Sequence, residues 1–243
     1  DDDSRPVLAR VLAEIADHRI TGDLMKLVLD PLAEVRACAA RILAAVHPPY
    51  ALQALAKLVK DPEWFVRLRA AVAIGELGER QAIPLLIGAL CDLNRLVRLR
   101  AADALIRFRG EEEYILQMVI ETRDRYALQA FISEMQRSGR IAELVNDLAS
   151  DERRQSVHSI LLASLRNGSM QLLVDFLCHH PDRKVRARLA RLLALSADET
   201  LRYYLINMEI SQKDPTQGRL LRWVISRLDK ALKSSPEEEA VPA

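Results

Sequence analysis

Four arginines, Arg36, Arg67, Arg98 and Arg186, recur in one slot of the chain, read as six residues after an aspartate. A planar guanidinium can grip a carboxylate with two parallel N–H donors. Such a row has two readings. Each arginine reaches the aspartate of a neighbouring copy and fixes the angle between copies, or the row is a series of anion sites. The first is favoured. The histidines, His18, His47, His158, His179 and His180, form no His-x-x-x-His or His-Glu arrangement. A metal site would need ligands that the local sequence does not supply. His179-His180 precedes Pro181 at a helix end and reads as a solvent-exposed turn. Cys38, Cys91 and Cys178 are odd in number, far apart and outside Cys-x-x-Cys spacing. They read as small core thiols of a reducing compartment, not as a zinc or disulfide framework. There is no Gly-x-Ser-x-Gly elbow, phosphate-cradling Gly-rich loop or Walker-type lysine. Glu111, Glu112 and Glu113 sit at a helix start, where they complement the N-terminal dipole. No catalytic residue, metal ligand or cofactor is assigned.

The arginines belong to a repeated stretch. It runs Asp30-Pro31-Leu32-Ala33-Glu34-Val35-Arg36, then Asp61 to Arg67, then Asp92 to Arg98, at a spacing of 31 residues. An alanine pair follows each copy: Ala39-Ala40, Ala70-Ala71 and Ala101-Ala102. A fixed period of this length is the mark of a solenoid. The Asp is expected to start a helix, with Pro31 and Pro62 in its first turn. The Val faces inward, and the alanines hold the helix close to its neighbours. Trp64 is placed in an inter-helix turn, as a half-buried staple in preference to an exposed hot spot. The upstream half of each copy, such as Tyr50 to Val59 or Ala82 to Leu90, is a second apolar helix. One such pair cannot bury its own apolar face, so copies must stack. Gly78, Gly110, Gly139 and Gly168 mark the junctions.

The Asp-x-x-x-x-Val-Arg-x-x-Ala-Ala pattern resembles HEAT repeats. Leu77-Gly78-Glu79-Arg80-Gln81-Ala82-Ile83-Pro84-Leu85-Leu86 is similar to the inter-repeat junction of the bacterial, bilin-lyase-like subclass. The pattern is regular over residues 24–108 and returns at Pro181 to Arg186. Between them Leu128-Gln129 and Val157-His158 fill the Val-Arg slots. The resemblance implies an all-α fold: a right-handed α-solenoid of about seven stacked helix pairs whose second helices line the concave surface. HEAT-like hydroxylases bind iron through His-Glu pairs, which are lacking here.

Composition agrees with one array. Of 243 residues, 50% are apolar, with only 8 glycines and 5% aromatics. The expected organisation is an N-terminal helix or truncated repeat over 1–20, regular repeats over 21–109 and degenerate repeats over 110–166. C-terminal repeats and a cap fill 167–233, and 234–243 form a disordered tail. Formal net charge is +1, without the basic excess usual in nucleic-acid binders, so none is expected as partner. No apolar run is long enough to span a bilayer, and no signal-peptide pattern opens the chain. The Asp1-Asp2-Asp3 start reads as a piece of a longer protein, so a membrane-anchored parent stays open. The expected location is the cytoplasm, or the cytoplasmic face of a membrane.

Taking Val66 as inward, helical spacing turns Phe65, Leu68, Arg69 and Val72 away from the core. The next copy places Leu96, Leu99, Arg100, Asp103 and Arg107 on the same face. An apolar strip flanked by arginines suits a groove for a protein partner. Alternatively, Leu68 and Leu99 pack sideways between second helices. The row continues at Arg41 and then at Arg188 and Arg191. The irregular Glu121 to Gln129 stretch, with its Arg123-Asp124-Arg125-Tyr126 run, is a second expected contact region. Three functions compete. The first is a non-catalytic scaffold or adaptor for a protein partner. The second, from the resemblance, is a bilin-lyase-like enzyme or cofactor-handling chaperone. The third, disfavoured by charge and sparse aromatics, is nucleic-acid binding like that of HEAT-like alkylpurine glycosylases.

Overall fold

The computed structural model describes residues 4–15, 24–150 and 154–234. Asp1–Asp3, His18, Gly22 and the tail from 235 onwards lie outside the described residues. The described chain is an all-α solenoid, and its contacts divide it into two compact units, 1–137 and 138–243.

In the first unit α1 (Arg5–Ile15) and α2 (Leu24–Val28) precede α3 (Ala33–Val46), α4 (Ala51–Leu58) and α5 (Trp64–Leu77). A 3-10 turn, Arg80–Ala82, leads into α6 (Ile83–Leu90), followed by α7 (Arg95–Leu105), α8 (Glu112–Glu121) and α9 (Arg125–Arg137). The second helices stack in sequence, α3 on α5, α5 on α7 and α7 on α9, while α4, α6 and α8 pack behind them. The recurring residues explain the stacking. Val35, Val66 and Val97 are at most 1% exposed, and all six alanines of the pairs are at 0%. Small side chains let successive second helices approach closely. At Gly75 an added Cβ would lie 2.5 Å from Ala104 Cβ, so α5 and α7 touch backbone to side chain there.

The helix starts differ from expectation. The repeat aspartates do not cap the helices; each builds a turn just before one. Asp30, Asp61 and Asp92 accept through Oδ1 from the N–H two residues on, at 2.8, 3.0 and 2.8 Å. The caps are Leu32, Glu63 and Asn94. Pro31 and Pro62 therefore lie outside the helices, in the turn that the carboxylate closes. Trp64 is the first residue of α5, not a turn residue; it is 40% exposed and meets the edge of Phe65. The four junction glycines all have positive φ, from 66° at Gly78 to 104° at Gly168. At Gly78 the left-handed residue ends α5, with its N–H bonded to the Ile74 carbonyl.

The second unit contains α10 (Arg140–Asp147), α11 (Arg154–Ser164), α12 (Met170–His179), α13 (Arg183–Ala194), α14 (Glu199–Ser211) and α15 (Pro215–Ser234). Here α13 packs on α15, and α14 also packs on α15. His180 corrects two expectations. It stands six residues before Arg186, where the other copies have aspartate, and it is buried. Its Nδ1 accepts from Asp182 N–H at 3.1 Å, as the repeat carboxylates do, and its carbonyl accepts from Arg186. Nε2 then donates to Asn146 Oδ1 at 2.8 Å. The imidazole thus replaces the carboxylate in the turn, while Asp182 caps α13. His179 alone is exposed, paired with Asp175 on its own helix.

Candidate interaction face

The face opposite the first helices is built from α5, α7 and α9. On α5 the spacing Leu68, Val72 places two apolar side chains on one side. On α7 Leu96, Leu99, Arg100, Asp103 and Arg107 follow at helical intervals. The structure brings Leu68, Arg69, Val72, Leu96, Leu99, Arg100, Asp103 and Arg107 together around one open groove of ≈ 690 Å³. Leu68 and Leu99 are half-buried, so they both support the helix contact and show a side to the groove. Phe65 falls outside it. It lines a separate recess of ≈ 230 Å³ beside Glu34, Ala37, Cys38, Arg41 and Arg69.

Three groove residues were not anticipated: Arg95, Glu134 and Arg137. Glu134 was hidden by a slip of one residue: Ala127, not Leu128, takes the inward place of Val97, with Phe131 and Ile132 in those of the alanine pair, so Glu134 falls in the slot of Ala104. Asp103 and Glu134 set the charge pattern. Asp103 pairs with Arg107 at 3.2 Å and approaches Arg137 at 3.9 Å, while Arg137 also grips buried Glu134. Arg69, Arg95 and Arg100 make no hydrogen bond or ion pair with any described residue. The groove is therefore neutralised where the end of α7 meets Arg137, while Arg69 of α5 and Arg95 and Arg100 in the earlier turns of α7 are available cations.

The arginine row resolves into a ladder. Arg36 Nε and Nη2 donate to both carboxylate oxygens of Asp61 at 2.6 and 2.9 Å. Arg67 grips Asp92 with the same two distances. Nη1 meanwhile holds the turn of its own repeat, through the carbonyls of Asp30 and Pro31 for Arg36, and of Asp61 and Pro62 for Arg67. Burial pushes both carboxyls up. The arginine hydrogen bond, the turn N–H and nearby arginine charges outweigh it, holding Asp61 and Asp92 below the ordinary aspartate range. Arg36 and Arg67 are thus structural, and the reading of a full row of anion sites is overturned at both. Arg98 keeps the turn contacts, to the carbonyls of Asp92 at 2.7 Å and Leu93 at 3.0 Å. The slot of its aspartate is filled by Thr122, whose Oγ1 accepts from the Asp124 N–H two residues on at 3.2 Å as the repeat aspartates do, without a carboxylate for Arg98.

The other expected positions separate. Arg188 does not extend a basic stripe: it donates to the carbonyls of Leu148 and Ser150, holding the end of α10. Arg191 lines a recess with Trp223, Arg227 and Lys230. In the irregular stretch Arg123 has a left-handed φ of 55°. Asp124 accepts from the N–H groups of Tyr126 and Ala127 and so starts α9. Tyr126 has Arg98 over its ring at 5.6 Å and Arg125 at 4.8 Å. The three cysteines form no disulfide with one another, with Cys38 and Cys178 buried and Cys91 half-buried. Burial pushes the Cys91 and Cys178 thiols up, the opposite of what a nucleophile needs. No group of His, Cys, Asp and Glu suited to a metal occurs among the described residues.

A solenoid of helix pairs with an Arg–Asp ladder defines the class of protein. The chain belongs to the HEAT-repeat family, whose family model matches residues 1–73 and 56–136. Among solved structures it is similar to an engineered protein from the Northeast Structural Genomics Consortium, at 19% identity and a TM-score of 0.44, over 96% of this chain and 77% of that one. No curated protein matches it. No described helix is long and apolar enough to cross a membrane.

Proposed function

We propose that this chain is a non-catalytic interaction scaffold that takes a protein partner on the α5–α7–α9 face. HEAT repeats mediate protein interactions in general, and the reading rests on one observation. Leu68, Val72, Leu96 and Leu99 line a single groove with cations, Arg69, Arg95 and Arg100, that no carboxylate of the described residues occupies. Apolar anchors inside a polar rim are the anatomy of a protein interface. The cations favour a partner with an acidic segment. The lyase-like reading has the Leu77–Leu86 junction as its support. In this fold that stretch is the cap of α5, a 3-10 turn and the start of α6, which is a structural corner. Cysteines outside disulfides fit a reducing compartment, and a cytoplasmic location is part of the proposal.

Leu96 is 49% exposed and Arg100 is exposed, so both can be replaced without opening the core. Affinity capture from native cell extract with wild type, Leu96→Glu and Arg100→Glu tests the reading. A partner captured by the wild type and lost from both variants, with helicity and melting unchanged, is expected. Partners retained by both variants would overturn this assignment of the face.

A further inference from the structure

We propose that Arg98 is a preformed carboxylate-binding site at the open end of the ladder, taking an Asp or Glu side chain of the partner's acidic segment. The inference deepens the interaction reading and rests on it. The protein supplies its own template. In two preceding copies the same arginine, held by the same two turn carbonyls through Nη1, offers Nε and Nη2 to a carboxylate. Arg98 is held in the same way. Its Nε and Nη2 make no hydrogen bond with the described residues, and no described carboxylate is within ion-pair distance. The residue in the acceptor slot is Thr122, whose Oγ1 accepts from the N–H two residues on at 3.2 Å as the repeat carboxylates do but which offers no carboxylate, and Asp124 is engaged at the start of α9.

That edge opens on a recess of ≈ 390 Å³ lined by Arg95, Leu99, Tyr126, Gln129, Ala130 and Ser133 besides Arg98 itself. Arg95 adds a second cation, and Gln129 and Ser133 add neutral hydrogen-bonding groups. A fixed, planar donor pair matches a carboxylate better than it matches a point anion. The cost of orienting the guanidinium is already met by the turn carbonyls and by Tyr126. Arg95 and Leu99 also line the larger groove, so the two spaces adjoin. A ligand filling both carries an apolar side chain beside an acid, which is the chemistry of a peptide and not of a free small acid.

The test selects peptides from a random library, displayed on phage through their C-termini, on the full chain. Enriched peptides are expected to share an acidic position beside an apolar one. The selected peptide is then made C-terminally amidated, with its acid as Glu, Gln or phosphoserine. A second form has Gln at that position and a free C-terminal carboxylate. Arg98→Gln should weaken the Glu peptide roughly ten- to a hundred-fold, the range for a charge-assisted pair. On that variant the Glu-to-Gln change in the peptide should cost nothing more. Thr122→Asp, which restores the ladder's missing acceptor and leaves Arg98 in place, should block the Glu peptide as strongly. Recovery of binding by the free C-terminal carboxylate would assign the site to chain ends, and preference for phosphoserine to phosphopeptides; either would overturn the assignment. Peptides lost on Leu96→Glu but indifferent to Arg98→Gln and Thr122→Asp would sink this inference and leave the interaction reading standing. A library that yields no peptide sensitive to Leu96→Glu would refute both.

Discussion

The Arg36–Asp61 pair is expected to couple adjacent repeats measurably, and Asp61→Asn is the clean perturbation. Asparagine keeps an Oδ1 for the Glu63 N–H, so the turn survives, while the charge and the Oδ2 acceptor for Arg36 Nε are lost. The side chains are 15% and 6% exposed, which sets the magnitude between two limits. Exposed ion pairs contribute about 0–1 kcal/mol, and breaking a fully buried pair costs about 3–5 kcal/mol. Two charge-assisted bonds, partly shielded from water, place Asp61→Asn at roughly 2–3 kcal/mol. For a chain of this size that is a fall in midpoint of roughly 4–12 °C. Urea and thermal unfolding of wild type, Asp61→Asn, Arg36→Gln and the double variant give the coupling directly, expected at about 1–2 kcal/mol. Arg98→Gln is the internal control. It loses the same kind of turn contacts but no carboxylate, so it should cost less than Arg36→Gln by about that coupling. A coupling near zero, or an Arg98→Gln as damaging as Arg36→Gln, would refute the ladder as a stacking device.

Three further outcomes follow from the packing. Asp61 and Asp92 have folded pKa values below those of the unfolded chain, so their stabilisation is complete above about pH 3.9. It is lost as pH falls through their lower folded values, and Asp61→Asn/Asp92→Asn should flatten the acid limb of a pH–melting curve. Gly75→Ala gains about 1 kcal/mol of helix propensity but sets a Cβ against Ala104 of α7, so a lower melting temperature is expected; a rise would refute the close α5–α7 approach. Cys178, buried and with its thiol pushed up, should react with a thiol reagent at neutral pH far more slowly in the native protein than in urea.

The period carried most of the fold because each recurring residue answers a local demand. Val fills the core, the alanine pair sets helix distance, and a glycine takes the left-handed cap. Those demands repeat whatever the partner. The site was legible only as far as the same geometry reached: α5 and α7 share a register, so eight residues could be aligned on one groove by angle alone. Phe65 missed it because it sits at the edge of that angular range, nearer to α3. Glu134 and Arg137 were obscured by repeat four, where the register slips by one residue and Ala127, not Leu128, fills the place of the repeat valine. His180 was misread because Asp182 offered a tempting aspartate. The slot was defined by six residues of spacing, and an imidazole nitrogen can accept the turn N–H as a carboxylate oxygen does.

Regularity and function pull in opposite directions along this chain. Where the repeat is regular, each arginine finds its aspartate 25 residues on, and the charges cancel inside the wall. A partner gains little from such groups, since engaging them would mean breaking a bidentate pair. The ladder stops where Thr122 replaces the acceptor, and the copy that loses its partner also contributes Leu99 and Arg100 to the groove. The break in the pattern therefore leaves an oriented guanidinium uncompensated beside exposed apolar surface, the one combination that a uniform stack cannot present. Losing an internal ion pair lowers the stability of that junction, and binding a carboxylate there would restore it. Thr122→Asp tests the same trade from the other side: it should raise the melting temperature as it abolishes the acidic ligand.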